Sequence, residues 1–270
     1  MKSVDFTNKV ILVTGGASGI GLAVCRAMAE QGGRVAMVDV DARALVTQAQ
    51  FFEARGLEVF TRTCDIREVG ACKKAVQEVM DHFGRLDILF NNAGITQRGL
   101  FEKTCTEVFH RVMETNFYGA LYMTQAALPH ILESRGSIAV NESIAGVAPL
   151  LGRTGYAASK HALHGLFTSL RCELRSRGVH VMIICPGFIQ TNLQTRALGA
   201  DGNTARHKQT RVGKEQTPES VATAFFRGIG QRKSMVVLTP VGKIGYWISR
   251  IFPGLYERLM TWQFKNELSI

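Results

Sequence analysis

Tyr156 and Lys160 stand four residues apart in a stretch that reads as helix, which puts a phenol and an ammonium on one face. A phenol titrating near pH ~10 is a poor base at neutral pH, but a fixed positive charge a few ångströms away favours its anion and lowers that value. The pair could therefore give a proton to a reacting oxygen or take one from it. On an ordinary helix the same spacing usually means one buried ring and one solvated charge. What separates the two readings is whether the rest of the chain builds a site around them.

The elements before the pair describe a nucleotide site. Residues 9–13 form a short β-branched apolar run, followed by Thr14-Gly15-Gly16-Ala17-Ser18-Gly19-Ile20-Gly21 and an apolar-periodic helix to about residue 31. Glycines in such a strand–turn–helix let the backbone turn tightly and approach a pyrophosphate, which then sits on the free N–H groups of the helix start. A second strand, 34–38, ends in Asp39, eighteen residues after Gly21, where a carboxylate can accept hydrogen bonds from an adenosine ribose. That carboxylate would repel a 2′-phosphate, and neither Ser18 nor Val40 supplies a compensating cation, so NAD is expected over NADP. A plain strand-end turn residue is the competing reading of Asp39.

The alternation continues with a helix over about 41–55, a strand over 57–64, a helix over 67–83 and a strand over 86–90. Alternating β and α elements predict a parallel sheet with helices on both faces, whose ligands bind at the carboxyl ends of the strands. Asp65, Asn91-Asn92-Ala93-Gly94 and the glycine turn all fall there.

Taken together, Thr14-Gly15-x-x-x-Gly19-x-Gly21, Asn91-Asn92-Ala93-Gly94, Asn116, Ser143, Tyr156-x-x-x-Lys160 and Pro186-Gly187 resemble, in order and spacing, the short-chain dehydrogenase/reductase family over about residues 8–190. The resemblance implies an α/β fold: one Rossmann-like domain with a doubly wound parallel sheet of about seven strands. It implies hydride exchange between a nicotinamide cofactor and an alcohol/carbonyl pair. It also implies a homodimer or homotetramer built on helices at about 105–132 and 153–177. Tyr156 then resembles the general acid and base, and Lys160 the residue that lowers its pKa and holds the nicotinamide ribose. Ser143 resembles the donor to the substrate oxygen, and Asn116, within a helix, the residue that holds a relay water. The implied cofactor contacts are Thr14, Gly15, Ser18, Gly19, Ile20 and Gly21 in the turn, then Asp39, Asp65 with Ile66 at the adenine, and Asn92, Ala93 and Gly94. Tyr156, Lys160, Pro186, Gly187, Ile189 and Thr191 complete the set. One departure stands out: family members usually carry Asn-x-Ser-Ser here, whereas this chain reads Val140-Asn141-Glu142-Ser143. Glu142 is expected to point to solvent, the alternative being a hydrogen bond near the site that alters its electrostatics.

Composition narrows the function classes. With 270 residues, 46% apolar and 20% charged, the chain can bury a sizeable core. Its six cysteines show no CxxC spacing and its seven histidines no cluster, so neither a disulfide framework nor a metal site is expected. The first residues lack an apolar leader core and no run approaches the length of a membrane span, which makes a soluble cytoplasmic protein the expectation. The net charge of +10 is concentrated late, with +3 over 191–215 and +4 over 232–270. Without a basic run or nucleic-acid motif, no nucleic-acid partner is expected.

The polar, basic segment 191–215 is a candidate lid over the substrate, and a helix is expected from Thr217-Pro218, where Thr caps and Pro suits the first turn. The 241–270 extension holds both tryptophans and reads as two short amphipathic helices, with Ile244, Trp247, Ile248 and Ile251 on one face and Leu255, Leu259 and Trp262 on another. Packing over the mouth of an apolar-substrate site, or against a partner subunit, is the favoured reading; contact with an anionic membrane surface is the other. A non-catalytic nucleotide sensor is a competing function class, disfavoured because it has no need of Tyr156 or Lys160.

Overall fold

The computed structural model describes residues 5–205, 209–210 and 213–268. Seven strands, β1 (Val10–Thr14), β2 (Arg34–Asp39), β3 (Val59–Thr63), β4 (Ile88–Asn91), β5 (Ser137–Asn141), β6 (His180–Cys185) and β7 (Met235–Val237), form one sheet in the order β3-β2-β1-β4-β5-β6-β7. Every pairing is parallel. The central strands are buried and mostly apolar because both faces are covered. Val10 and Leu12 of β1 pack toward α3 (Val69–Phe83), α5 (Gly119–Ser134) and α6 (Thr154–Leu174). Ile11 and Val13, pointing the other way, pack toward α1 (Gly19–Glu30), α2 (Ala42–Glu53) and α7 (Pro218–Gly230).

Strand order reverses between β1 and β4, and the crevice at their carboxyl ends is where this architecture receives a ligand. Local chemistry sets the helix starts. Asp41 accepts a hydrogen bond from the Ala44 amide at the head of α2, and Thr217, followed by Pro218, accepts one from Ser220 at the head of α7. Thr239 does the same for Gly242 in α8 (Pro240–Ile251), just after β7 ends at Val237.

The helix expected over 105–132 is broken into three parts. α4 (Thr106–Met113) leads into one π-helical turn, Glu114–Tyr118, before α5 resumes. A π turn accommodates one extra residue, a feature that periodicity over so short a span does not encode. Asn116 lies in this turn. The last helix, α9 (Pro253–Leu268), is longer than expected and packs against α8.

Candidate functional site

At the nucleotide end, the turn after β1 is held by the loop after β4. Thr14 Oγ1 accepts from the amides of Asn92 and Ala93, and Asn92 Nδ2 donates to the carbonyls of Thr14 and Gly15 at 3.0 and 3.1 Å. Gly15 has φ +63° and its missing Cβ would stand 2.9 Å from Ala93 Cα, so only glycine allows the two loops to touch. Thr14 and Gly21 lie behind the cavity wall, because the first is consumed in fastening the loops and the second packs on the Gly15 carbonyl and Asn92. Their part is to shape the turn. Gly15, Ser18, Gly19 and Ile20 line the cavity itself, as do Asp39, Asp65, Ile66, Asn92, Ala93 and Gly94.

Asp39 ends β2 and its two carboxylate oxygens accept from the backbone amides of Ala17 and Asp41, each at 3.1 Å. It therefore orients the glycine turn while facing the cavity. Asp65 is gripped by Arg67, whose Nη2 is 2.6 Å from Oδ2, and that hydrogen bond holds its carboxyl below the usual range. Opposite, the loop after β6 contributes Pro186, Gly187, Ile189 and Thr191, with Thr191 packed against Gly19.

The reacting end is built where β5 meets α6. Tyr156 is buried, and Ser143, just beyond β5, lies beside its phenol. Lys160 is 4% exposed; its Nζ donates to the Asn141 carbonyl at 2.8 Å and lies 5.6 Å from the Tyr156 ring centre. Asn141 Nδ2 in turn donates to Asn92 Oδ1, joining this corner to the glycine turn. The expectation that Lys160 lowers the phenol pKa is not met. Burial pushes Tyr156 up to about 12, with Ser143 pulling it down and the Glu142 charge pushing it up. Burial likewise brings Lys160 down to about 8, and Glu142 opposes that fall.

Asn116 is brought beside this group without lining the cavity. Its Oδ1 accepts from the Ile95 amide and its Nδ2 donates to the Ile95 carbonyl and to Ser159 Oγ at 2.9 Å. The side chain thus braces the loop after β4 against α6, and no capacity of the amide is left over for a relay water beyond the remaining lone pair of Oδ1.

Glu142 does not point to solvent. Its side chain is fully buried with His164 as partner, Nδ1 lying 3.1 and 3.3 Å from the two carboxylate oxygens. Strand alternation turned it away from the outside, because β5 is covered on both faces and its end meets α6.

The cavity continues past Tyr156 to a total of about 720 Å³, within the range of small-molecule sites. Thr191, Leu193, Gln194 and Arg196 of the expected lid line it, and the lid is pinned by buried Ala197 and Leu198, the latter packed on Val108 and Val112 of α4. Residues 206–208 and 211–212 of the lid lie outside the described residues. Its far wall is the C-terminal pair, with Ile248, Tyr256, Met260 and Phe264.

One contact here had no signal in the sequence. Arg153, three residues before Tyr156 and 2% exposed, donates from Nη2 to Glu267 Oε1 at 2.5 Å, while Glu267 Oε2 accepts from the Thr210 amide. The last turn of α9 is thereby tied to both the head of α6 and the lid. Replacing Glu267 with Ala leaves a buried guanidinium uncompensated, and the expected loss is ~3–5 kcal/mol of unfolding free energy. The check is the denaturation midpoint, with Glu267→Gln, which keeps an acceptor, falling between the two.

Comparison with known proteins decides the family. The short chain dehydrogenase profile matches residues 9–200. This chain belongs to that family. As a short-chain dehydrogenase it is 35% identical over 268 residues to dehydrogenase/reductase SDR family member 7B of Bos taurus, covering 96% of this chain and 82% of the relative. It is 34% identical over 269 residues to an 11-beta-hydroxysteroid dehydrogenase-like 2 protein of Arabidopsis thaliana, covering 98% and 84%. Its fold is shared with a short-chain dehydrogenase/reductase from Burkholderia phymatum solved in complex with NAD, with a TM-score of 0.84, 24% identity and coverage of 93% and 96%. The seven-stranded Rossmann-like sheet and the nucleotide-binding oxidoreductase class are therefore properties of this chain.

Proposed function

We propose that this short-chain dehydrogenase transfers a hydride between NAD(H) and an apolar secondary alcohol or ketone. The observation that carries the reading is that Tyr156, Ser143 and Lys160 meet in one cavity that runs unbroken from the glycine turn to an apolar far wall. The residues present fit a dinucleotide: Ser18 makes no side-chain cap bond at the start of α1 and the first helical turn carries no acid, so the amides there are open to a pyrophosphate. Gly15, Ser18, Gly19 and Ile20 would hold that group, Asp39 the adenosine ribose, Asp65 and Ile66 the adenine, and Lys160 with Thr191 the nicotinamide end. When bound, the cofactor supplies the hydride chemistry and, in its oxidised form, a positive charge beside the site.

The chain's own residues handle the proton. In reduction, Tyr156 donates its phenolic proton to the developing alkoxide while Ser143 hydrogen-bonds the same oxygen; in oxidation the steps reverse. Lys160 anchors the corner through Asn141 and places a cation behind the phenol. NAD over NADP rests on Asp39. An apolar substrate is favoured by Ile248, Met260 and Phe264, and by the hydroxysteroid reference in the name of one relative. Assembly into a dimer or tetramer through α4–α6, and a cytoplasmic setting, belong to the same proposal. The test is a panel of alcohols and ketones of graded size with NADH and NADPH in parallel. Turnover of bulky apolar ketones with NADH is expected, and none with either cofactor would defeat the reading.

A second reading concerns the outer face of the C-terminal pair. Trp247 and Ile251 on α8 and Leu255 on α9 are exposed away from the cavity, with Trp247 60% exposed, while Val241, Ile244, Leu259 and Trp262 are exposed at its rim. Lys243, Arg250, Arg258 and Lys265 are exposed beside them, against Glu257. No described helix is long and apolar enough to cross a membrane. Apolar stripes flanked by cations suit the surface of an anionic bilayer. Intact protein is expected to sediment with anionic vesicles at low salt, to be released at high salt, and to lose most binding on replacing both tryptophans with Ser. No sedimentation of the intact protein, with a drop in subunit number for the same double variant, would assign the stripes to a subunit contact instead.

A further inference from the structure

Tyr156, Lys160 and His164 are spaced four and four along α6, so they form one stripe facing the end of β5. At the first level the stripe meets Ser143, at the second the Asn141 carbonyl, and at the third the Glu142 carboxylate. Three consecutive residues at the strand end thus meet three consecutive turns of the helix. Glu142 has no exposed side-chain surface and its carboxylate lies against Gly146, where even a methyl group would collide with it. His164, with 22% of its side chain exposed, is the link between this carboxylate and solvent.

An ionisable carboxyl is expensive to bury unless its charge has a use nearby. We propose that the Glu142–His164 pair positions charge for the reaction: the buried carboxylate keeps Lys160 an ammonium at neutral pH, and the His164 ring keeps the carboxylate in place. Glu142 is in this sense a positioning residue that acts through Lys160. The proposal rests on the reading of Tyr156 and Lys160 as the proton-handling pair.

The surroundings agree in sign. His164 touches the Glu142 carboxylate, and Tyr156, Lys160, His161 and Arg171 from α6 and Cys185 from the end of β6 are the other titratable groups coupled to it through their charge. Burial raises the carboxyl pKa, and His164, Lys160 and His161 each draw it back down. Its negative charge raises Lys160 and Tyr156 alike. Burial lowers Lys160 and the carboxylate opposes that fall, so removing the carboxylate weakens the hold on the ammonium.

Replacing Glu142 with Gln keeps size and hydrogen bonding and removes the charge. The first measurement uses the unliganded chain and needs no substrate: an NMR titration of the Lys160 ammonium, identified by its absence in Lys160→Met. The midpoint is expected to fall by about one pH unit, a ~10-fold loss of proton affinity, in Glu142→Gln, and to stay near that of the intact protein in Glu142→Asp. His164→Leu, which removes the hydrogen-bond partner and pushes the carboxyl toward its neutral form, is expected to move the midpoint the same way and provides the reading if Glu142→Gln does not fold. An unmoved Lys160 midpoint in a folded Glu142→Gln or His164→Leu variant overturns the proposal. The second measurement is the pH profile of kcat/KM with a substrate from the panel. Both limbs are expected to shift to lower pH in Glu142→Gln, whereas a lower plateau with unshifted limbs would mean a merely structural role and overturns it. Absence of any turnover would defeat the functional reading while leaving the NMR result to stand by itself.

Discussion

Replacing Tyr156 with Phe is expected to lower kcat for ketone reduction by about 10³-fold, within the range of positioned proton transfer, while NADH affinity changes little. The ring is buried between α6 and the end of β5 and stays packed in the variant; what goes is the hydroxyl beside Ser143. The pH dependence follows from the direction of the phenol pKa. With that value pushed up to about 12, the phenol is in its acid form across the neutral range, so reduction has its proton donor available there. Oxidation needs the phenolate. Its rate is therefore expected to rise with pH toward the phenol pKa, while reduction stays level and falls only as that value is reached. Stopped-flow or steady-state rates in both directions, with NADH binding followed by fluorescence, check the expectation. A variant that keeps a tenth or more of the intact activity would move the acid role elsewhere, Ser143 being the nearest hydroxyl.

The second large effect is on cofactor choice. Asp39→Asn removes the charge that would repel a 2′-phosphate but keeps one oxygen to accept from Ala17 or Asp41, so the glycine turn is held. The variant loses a charge-assisted bond to a ribose hydroxyl, and NAD binding weakens. It also loses the repulsion, and NADP binding strengthens. The ratio of kcat/KM for NAD to that for NADP is expected to fall by about 10²-fold. Equal use of the two cofactors by the intact enzyme would mean that a cation offsets the carboxylate, and exposed Arg43 at the head of α2 is the first to replace.

Sequence by itself determined the elements that local chemistry specifies. Strand β2 runs over Arg34–Asp39, matching the expected strand that ends in Asp39, and α7 starts at Pro218, because apolar runs and a Thr-Pro cap act on neighbours within a few residues. The glycine turn, Asp39 and the Tyr156–Lys160 pair were legible for the same reason: each is a short spacing whose geometry the backbone fixes. The parallel sheet with helices on both faces followed from β/α alternation, since parallel strands need crossovers and crossovers take one hand.

Only the tertiary structure decided what depends on partners far along the chain. Glu142 looks like a solvent-facing acid until His164, 22 residues on, is placed against it. Arg153 gains its meaning from Glu267, 114 residues away, and no local pattern links them. The phenol of Tyr156 was expected to be drawn down by Lys160; burial won because removing water from a charge outweighs a cation whose own hydrogen bond goes to Asn141. The C-terminal stripes were visible as periodicity, but periodicity gives a face and not its direction. Where a helix turns that face is settled by what already fills the core, and here the inner side of α8 and α9 became the cavity wall, with Trp262 exposed at its rim and Trp247 left outside.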